Sequence, residues 1–374
     1  MAGIYIHIPF CKKACHYCDF HFSTSLKNKE TLVDAICSEI RVRQDYLENK
    51  KLSTIYFGGG TPSLLTSTEL DKIISTIKEN FEIIPGAEIT LEANPDDLTP
   101  EKTKELKESG INRLSIGIQS FFDDDLERMN RSHNANQAIQ AVQNAQSNGI
   151  NNISIDLIYG LPNLTREKWL HNLQQAFQLN VPHLSAYCLT IEEGTAFNHF
   201  LHIGKITLPS EPETIEQFEL LMSETTKHGF IHYEISNFCK EGKQSRHNSS
   251  YWTNEYYLGI GPSAHSYNGI SRQFNVANNA KYIKRINTGA PDMEIEMLTP
   301  ANKFNEYIMT RLRTIWGINP AFISEQFGKA TLTTFLSGAE PYLASGSLQW
   351  QQDNLILTQK GKLLADKIAS DLFV

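Results

Sequence analysis

Residues 10–20 read Phe-Cys-Lys-Lys-Ala-Cys-His-Tyr-Cys-Asp-Phe and directly follow a short apolar run that is typical of a β-strand. Cys11, Cys15 and Cys18 give this stretch the spacing C-x3-C-x2-C. Closely spaced cysteines hold iron–sulfur clusters, and they also hold structural zinc together with histidines. Zinc sites usually pair two close ligands with two distant ones, so three cysteines within eight residues favour a cluster. Three thiolates would leave one iron of a cubane cluster open to a small molecule.

Length and composition place the chain among ordinary globular proteins. Its 374 residues suffice for one barrel-sized domain and a smaller one, and 40% of them are hydrophobic. The formal charge of -8 argues against nucleic acid as the main partner, because phosphate binding needs clustered positive charge. Six cysteines are too few and too unevenly placed for a disulfide-stapled secreted domain. With no long apolar run and no secretory signal, the sequence predicts a cytoplasmic protein without a transmembrane segment.

The first 190 or so residues alternate strand-like and helix-like segments. The predicted strands are Gly3–His7, Leu52–Phe57, Ala87–Ala93, Arg113–Gln119, Asn152–Leu157 and His183–Leu189. The predicted helices between them are Glu30–Glu48, Ser67–Phe81, Glu101–Ser109, Asn136–Ser147 and Arg166–Leu179. Successive β-α units imply parallel strands, in either a curled partial barrel or an open doubly wound sheet.

The remaining chain divides into two further segments, so we expect a core over 1–210, a flanking segment over 211–300 and a last unit over 301–374. In the flanking segment the pattern predicts a helix over Glu211–His228 and a strand over His232–Phe238. The last unit has helical patterns and a hairpin around Asp353-Asn354, which resembles a winged-helix outline. Its basic and acidic residues are nearly equal in number, so we interpret it as a packing or docking unit rather than a DNA-binding one.

Polar or glycine features end the predicted strands, and functional groups of parallel α/β folds gather at such ends. Gly58-Gly59-Gly60 follows the second strand, and it either makes a turn or lets a ligand approach the backbone closely. Glu92 ends the third strand as a solvated carboxylate or as the acceptor of an ammonium group. Asp156 points inward on the fifth, where ribose hydroxyls or a neighbouring backbone group would satisfy it. Together these features indicate a shared site at one mouth.

The motifs now identify a family resemblance. Tyr5-Ile6-His7-Ile8-Pro9-Phe10-Cys11, with Cys15, Tyr17 and Cys18, resembles the start of radical S-adenosylmethionine (SAM) proteins of the anaerobic coproporphyrinogen III oxidase type. Gly58–Pro62, the Glu92 strand, Gly117–Ser120 and Asp156–Pro162 continue the resemblance in the same order. It implies a partial (β/α)6 barrel with a smaller α+β region at the C-terminus. It also implies that Cys11, Cys15 and Cys18 hold a [4Fe-4S] cluster whose open iron takes the amine and carboxylate of SAM.

The resemblance carries further roles onto this chain. It places SAM contacts at Tyr5, Tyr17, Gly59, Gly60, Thr61, Glu92, Gln119, Arg131, Asp156, Thr190 and His265, the last two near the adenine or a second ligand. In such a site the cofactor supplies the radical chemistry, and the protein supplies position and electrostatics. No catalytic side chain is assigned.

Two departures favour one branch of that family. Cys18 is followed by Asp19-Phe20 where oxidase members have a glycine and a further cysteine, and only four residues precede Tyr5. His247-Asn248-Ser249-Ser250-Tyr251-Trp252 resembles the HNxxYW signature of HemW-type haem chaperones. The resemblance implies a homodimer that binds haem and passes it to an acceptor protein, whereas the enzyme alternative is oxygen-independent coproporphyrinogen III oxidase.

The HNxxYW segment itself allows two interpretations. Imidazole is a common axial ligand of haem iron, so His247 is the predicted haem ligand, with Tyr251 and Trp252 against the porphyrin. Alternatively, His247 and Asn248 hydrogen-bond a loop while Trp252 fills core. The family resemblance favours the haem-binding interpretation.

Overall fold

The computed structural model of the protein describes residues 2–289 and 293–374; residues 290–292 of the predicted flanking segment lie outside the described residues. The strands are β1 Ala2–Ile8, β2 Lys51–Gly59, β3 Glu82–Ala93, β4 Arg113–Gln119, β5 Asn152–Tyr159, β6 His183–Cys188, β7 Ile231–Glu234, β8 Asn237–Cys239, β9 Tyr257–Ile260, β10 His265–Tyr267, β11 Ser271–Asn275, β12 Met293–Met297, β13 Leu348–Gln351 and β14 Asn354–Leu357. The helices are α1 Lys29–Val42, α2 Ser67–Asn80, α3 Pro100–Glu108, α4 Asp123–Arg128, α5 Ala135–Ser147, α6 Arg166–Gln178, α7 Ala196–His202, α8 Glu211–Lys227, α9 Arg246–Trp252, α10 Asn279–Asn287, α11 Pro300–Leu312, α12 Pro320–Phe327, α13 Lys329–Ala344, α14 Gln359–Lys362 and α15 Ala365–Asp371.

The core is a curled sheet in which β1 to β6 lie side by side in chain order. Each neighbouring pair among them is parallel. A doubly wound sheet reverses its strand order at a switch point, and no such reversal occurs between β1 and β6. The partial barrel predicted from the sequence is therefore confirmed, and all six strand ends face the same mouth.

Hydrophobic residues on both faces of the strands explain this core. In β1 all residues except Tyr5 are buried, and β2 is buried from Leu52 to Gly58. Strands covered on both faces read as continuous apolar runs, which is the pattern of a parallel sheet under helices. The helices α2 and α8 begin with capping boxes at Thr66 and Ser210, which satisfy backbone N–H groups that a helix start leaves free.

The sheet continues past both ends of the barrel. On one side β9 pairs in parallel with β1, and β10 to β12 follow as antiparallel strands. On the other side β8 and β7 pair antiparallel beyond β6. The single strand predicted over His232–Phe238 is wrong, because Ile235 and Ser236 form a turn and the segment folds back as a hairpin. The helix predicted to reach Glu48 ends at Val42, where Arg43 turns into the protein and is buried.

A second hydrophobic cluster lies near the C-terminus, and its buried members fall between Phe304 and Leu372. The predicted hairpin is present as β13 and β14, with Asp353 in its turn and Asn354 at the start of β14. Helices α11 to α13 precede it and α14 and α15 follow it; the winged-helix assignment stays a prediction. Across the part of the chain that the structure describes, no helix is long and apolar enough to cross a membrane.

Candidate functional site

The cysteine loop (residues 9–23) leaves the end of β1 at the barrel mouth. Cys11, Cys15 and Cys18 are half-buried free thiols. Backbone hydrogen bonds fix the loop to its surroundings: the amide of Cys11 donates to Ser23 O at 3.0 Å, and that of His16 donates to Met129 O at 3.0 Å. Among the described residues, no His, Cys, Asp or Glu side chains form a ready-made site for a single metal ion.

Burial favours the protonated form of two of these thiols in the metal-free chain. Burial raises the pKa of Cys18 to about 11 and also raises the pKa of Cys11. A positively charged iron would reverse this preference, because a metal ion stabilises the thiolate that coordinates it. Three thiols on one pinned loop therefore fit the donor set of an iron–sulfur cluster.

Arg131 joins the cysteine loop to the ends of β3 and β4. Its Nη1 lies 3.3 Å from Cys15 Sγ and 3.3 Å from the Tyr17 hydroxyl. Its Nη2 donates to Asn94 Oδ1 at 2.7 Å and to Gly117 O at 2.7 Å. Planar guanidinium groups suit such forked contacts, so Arg131 positions the loop as well as adding positive charge beside a thiol.

The glycine segment after β2 packs closely against β1. Gly59 has a φ of +109°, and a side chain there would meet the His7 ring at 2.5 Å. At Gly60 an added Cβ would lie 2.7 Å from Phe10 O. Next to them, Thr61 Oγ1 lies 3.6 Å from Cys11 Sγ. Glycine is thus required for the close approach of two backbone segments, and contact with SAM remains a prediction here.

Two carboxyl groups, those of Glu92 on β3 and Asp156 on β5, lie on barrel strands that β4 separates. Glu92 accepts hydrogen bonds from the Tyr56 hydroxyl at 2.8 Å and from the Gly59 amide at 3.2 Å. Burial, assisted by the charge of Asp156, raises the pKa of Glu92 to about 7. Burial likewise raises the pKa of Asp156 to about 6, although Ser115 lies 3.4 Å from its carboxylate. Carboxyl groups in a cleft whose pKa values are raised by burial are candidates for a functional site.

Gln119 ends β4 with an unusual backbone. Its φ is +68°, and the pairing with β5 shifts register between Gly117 and Gln119. A side chain added at Gly117 would meet Gln119 Nε2 at 3.0 Å and Arg131 Nη2 at 3.3 Å. The bulge therefore turns the Gln119 amide toward Arg131 at the mouth, which agrees with the common use of bulges next to functional sites.

Thr190 and His265 are far apart in the sheet. Thr190 is exposed just beyond β6, whereas His265 is exposed at the start of β10. Strands β9 and β1 to β5 lie between β6 and β10. The sequence motifs alone did not reveal this separation. The two residues lie on opposite sides of the mouth.

His247 lies behind the mouth, on α9. It is fully buried, and both of its ring nitrogens have partners: Nδ1 lies 2.8 Å from Thr54 Oγ1 and Nε2 lies 2.9 Å from the Tyr251 hydroxyl. Its ring also stacks on Tyr56 with 4.9 Å between centroids. Burial lowers the pKa of His247 to about 3, so the ring is neutral. Ligation of haem by His247 remains a prediction, and it requires one of these hydrogen bonds to break.

The two aromatic residues of the motif have different surroundings. Tyr251 meets Tyr257 edge to face, with 4.7 Å between ring centroids. Trp252 instead lies under the Arg313 guanidinium, 5.7 Å from its ring, and its Nε1 is buried without a hydrogen-bond partner among the described residues. Tyr251 thus faces the mouth side of α9, and Trp252 faces the C-terminal region.

Sequence reasoning missed Tyr56 and gave His7 no role at the mouth, although both surround this site. Tyr56 connects Glu92 to the His247 ring, and His7 hydrogen-bonds the Tyr5 hydroxyl at 3.1 Å. A signal was available for both. Each lies on a strand near its C-terminal end, close to a residue that the motifs had already identified.

Comparisons with known proteins agree with this site. Residues 5–176 match the model of the radical SAM superfamily, and residues 298–364 match that of the HemN C-terminal domain. A protein named haem chaperone HemW from Bacillus subtilis is 36% identical, over 98% of this chain and 98% of its own length. A protein of the same name from Mycobacterium tuberculosis is 33% identical over 99% of this chain and 94% of its own length.

A solved structure shares the fold. The radical SAM enzyme coproporphyrinogen III oxidase (HemN) from Escherichia coli superposes with a TM-score of 0.85, over 100% of this chain and 90% of its own. Its sequence identity is 23%, so this likeness establishes the architecture alone. The relatives that match along nearly their whole length decide the assignment: the chain belongs to the family of HemW haem chaperones, within the radical SAM superfamily.

Proposed function

We propose that this protein is a haem chaperone, which binds haem and transfers it to an acceptor protein. The observation that carries the proposal is the 36% identity to a protein named haem chaperone HemW over 98% of both chains. The HNxxYW segment supports it, because Tyr251 lies beside the mouth that the cysteine loop forms.

The proposal includes a [4Fe-4S] cluster on Cys11, Cys15 and Cys18, with SAM bound beside it. Arg131 and Thr61 contact two of the three thiols, which supports ligation from this loop. When bound, the cluster and SAM would supply an electron-transfer centre. Glu92, whose carboxyl group is held by Tyr56 and Gly59, is suited to receive the ammonium of SAM.

The first test is anaerobic purification with analysis of iron and acid-labile sulfide. We expect equal amounts of both in the wild type and almost none in Cys11→Ala, since the thiol is a direct ligand. Cys188→Ala is the matched control, because Cys188 is an exposed free thiol outside the cysteine loop. Circular dichroism of Cys11→Ala should match the wild type, because the Cys11 side chain is not part of the hydrophobic core. A colourless wild type that contains zinc and no sulfide would contradict the cluster.

The second test separates the chaperone from the oxidase. Reconstituted protein is incubated anaerobically with coproporphyrinogen III, SAM and a reductant, and in parallel haem is titrated in and transfer to a haem-free globin is followed. We expect haem binding and transfer without formation of protoporphyrinogen. Formation of protoporphyrinogen at a catalytic rate would make the protein an oxidase instead.

A further inference from the structure

A cleft of about 290 Å³ lies beside the cysteine loop, between β1 and β10. Its lining includes Tyr5, Phe20, His21, Tyr251, Tyr257 and His265. The cleft thus brings together the cysteine loop, the HNxxYW helix and the antiparallel extension of the sheet. We propose that haem docks in this cleft and that His265, rather than His247, binds its iron. The inference rests on the proposed haem-binding function and specifies its site.

Three imidazoles border the cleft, and their hydrogen bonds distinguish them. His7 is buried, with Nδ1 3.1 Å from the Tyr5 hydroxyl and Nε2 3.1 Å from His21 O. His21 has its Nε2 2.8 Å from Asn279 Oδ1. His265 is exposed, and neither ring nitrogen has a hydrogen-bond partner among residues 2–289 and 293–374. It therefore presents an imidazole that can bind iron without first breaking a contact.

The surroundings of His265 keep its ring oriented and neutral. The ring stacks on Phe274, with 5.2 Å between centroids and 24° between planes. Burial of part of the ring, together with the charge of Arg272, lowers the pKa of His265 below its usual value. Neutral imidazole is the form that binds metals, so these contacts favour a ligand role at neutral pH.

The walls of the cleft are suited to a flat apolar ligand. Phe20 is 69% exposed on the cysteine loop, and a porphyrin would cover a ring that now faces water. Tyr251 and Tyr257 supply aromatic surface on the other side. A volume of about 290 Å³ is at the lower end for small-molecule pockets, so a tetrapyrrole would stay partly exposed. Partial exposure suits a protein that must release its ligand to an acceptor.

His247 acquires a different role in this arrangement. Its Nε2 lies 2.9 Å from the hydroxyl of Tyr251, and Tyr251 lines the cleft. His247 is therefore a positioning residue, which fixes the aromatic wall from behind while its other nitrogen contacts Thr54.

The test is an anaerobic titration of hemin into the full-length protein, followed by absorption and electron paramagnetic resonance spectra. For His265→Ala we expect about 10-fold weaker binding and loss of the imidazole-ligated signal, with restoration by added imidazole. Cluster content should not change. His202→Ala is the matched control, because His202 is an exposed histidine outside the cleft. For His247→Gln, which can keep a hydrogen bond to Tyr251, we expect the imidazole-ligated signal to remain.

Each remaining outcome decides the matter. Unchanged spectra and affinity in His265→Ala would overturn the inference. Loss of the imidazole signal in His21→Ala or His247→Gln, with His265→Ala unaffected, would assign the ligand to that residue; the proposed haem-binding function would then stand. If the wild type bound no haem at all, both the proposed site and the proposed function would be wrong.

Discussion

The fold holds the carboxyl group of Glu92 where burial disfavours its charged form. It lies at the end of β3, half-buried, with two hydrogen-bond donors and with Asp156 nearby. Burial raises its pKa from 4.5 to about 7. The folded chain therefore binds more protons at this site than the unfolded chain between those values, and the free energy of unfolding falls as the pH rises through this window.

Glu92→Gln should consequently stabilise the cluster-free protein at pH 8 and not near pH 4.5. We expect a gain of about 1–2 kcal/mol at pH 8, after allowance for partial exposure, because the amide removes a charge that burial disfavours. Denaturant unfolding of both proteins at several pH values measures the difference. Glu82→Gln, on the same strand but exposed, is the control and should change little. A gain that stays constant with pH would contradict this account.

His247 illustrates what single residues in a sequence can and cannot reveal. The HNxxYW pattern singled out this histidine, but its partner Thr54 is 193 residues away along the chain. A sequence motif shows which residue types occur together locally. It does not show whether the ring nitrogens of a histidine already have hydrogen-bond partners. The same limit applies to His265, because Phe20, which also lines the cleft, is far away from it along the chain. Contacts of this kind arise only when the sheet brings distant strands together.

At the scale of elements, hydrophobic pattern predicted the parallel core well. The bounds of β4 were predicted to the residue, and those of α2 and α6 to within one. The hairpin β7–β8 was missed because its arms have only four and three residues, and the turn at Ile235 and Ser236 contains no glycine or proline to mark it. The short helices α4 and α7 were also missed, since six or seven residues are too few for helical periodicity to be recognised.

Helix α1 is tied to the antiparallel extension by one buried carboxylate. Glu39 pairs with Arg43 Nη1 at 3.1 Å and accepts hydrogen bonds from the Gly261 amide at 2.9 Å and the Tyr282 hydroxyl at 2.6 Å. Arg43 in turn donates to Gly259 O at 2.9 Å. Such a network holds β9 and α10 against α1, and it thereby supports the wall of the cleft near His265.

Removal of this carboxylate should be costly. Glu39→Ala leaves Arg43 buried without its ionic partner, so we expect a loss of about 3–5 kcal/mol in the free energy of unfolding. Asp34→Ala is the matched control on the same helix, because Asp34 forms an exposed ion pair with Lys72 and such pairs contribute ~0–1 kcal/mol. Urea unfolding of the metal-free proteins measures both. Equal effects of the two substitutions would contradict a structural role for the Glu39 network.

Across the described residues the structure has two hydrophobic cores, and polar contacts help to join them. The larger lies in the barrel, and the smaller has its buried members between Phe304 and Leu372. Arg313 spans the junction: its Nε lies 3.2 Å from Glu234 Oε1 on β7, and its guanidinium lies 5.7 Å from the Trp252 ring. Two backbone hydrogen bonds also cross this junction: the Ile235 amide donates to Arg313 O, and the Ile315 amide donates to Tyr233 O.

Because contacts around Arg313 join the two cores, their loss should let the smaller core unfold before the larger one. For Arg313→Ala we expect about 2–3 kcal/mol of lost stability, since Glu234 is buried and would lose its cationic partner. Hydrogen exchange followed by mass spectrometry should then show faster exchange in α11 to α15, with β1 to β6 unchanged. Lys329→Ala, an exposed change within the same region, should leave exchange as in the wild type. If exchange rose equally in the barrel, the two cores would unfold as one cooperative unit, which would contradict this prediction.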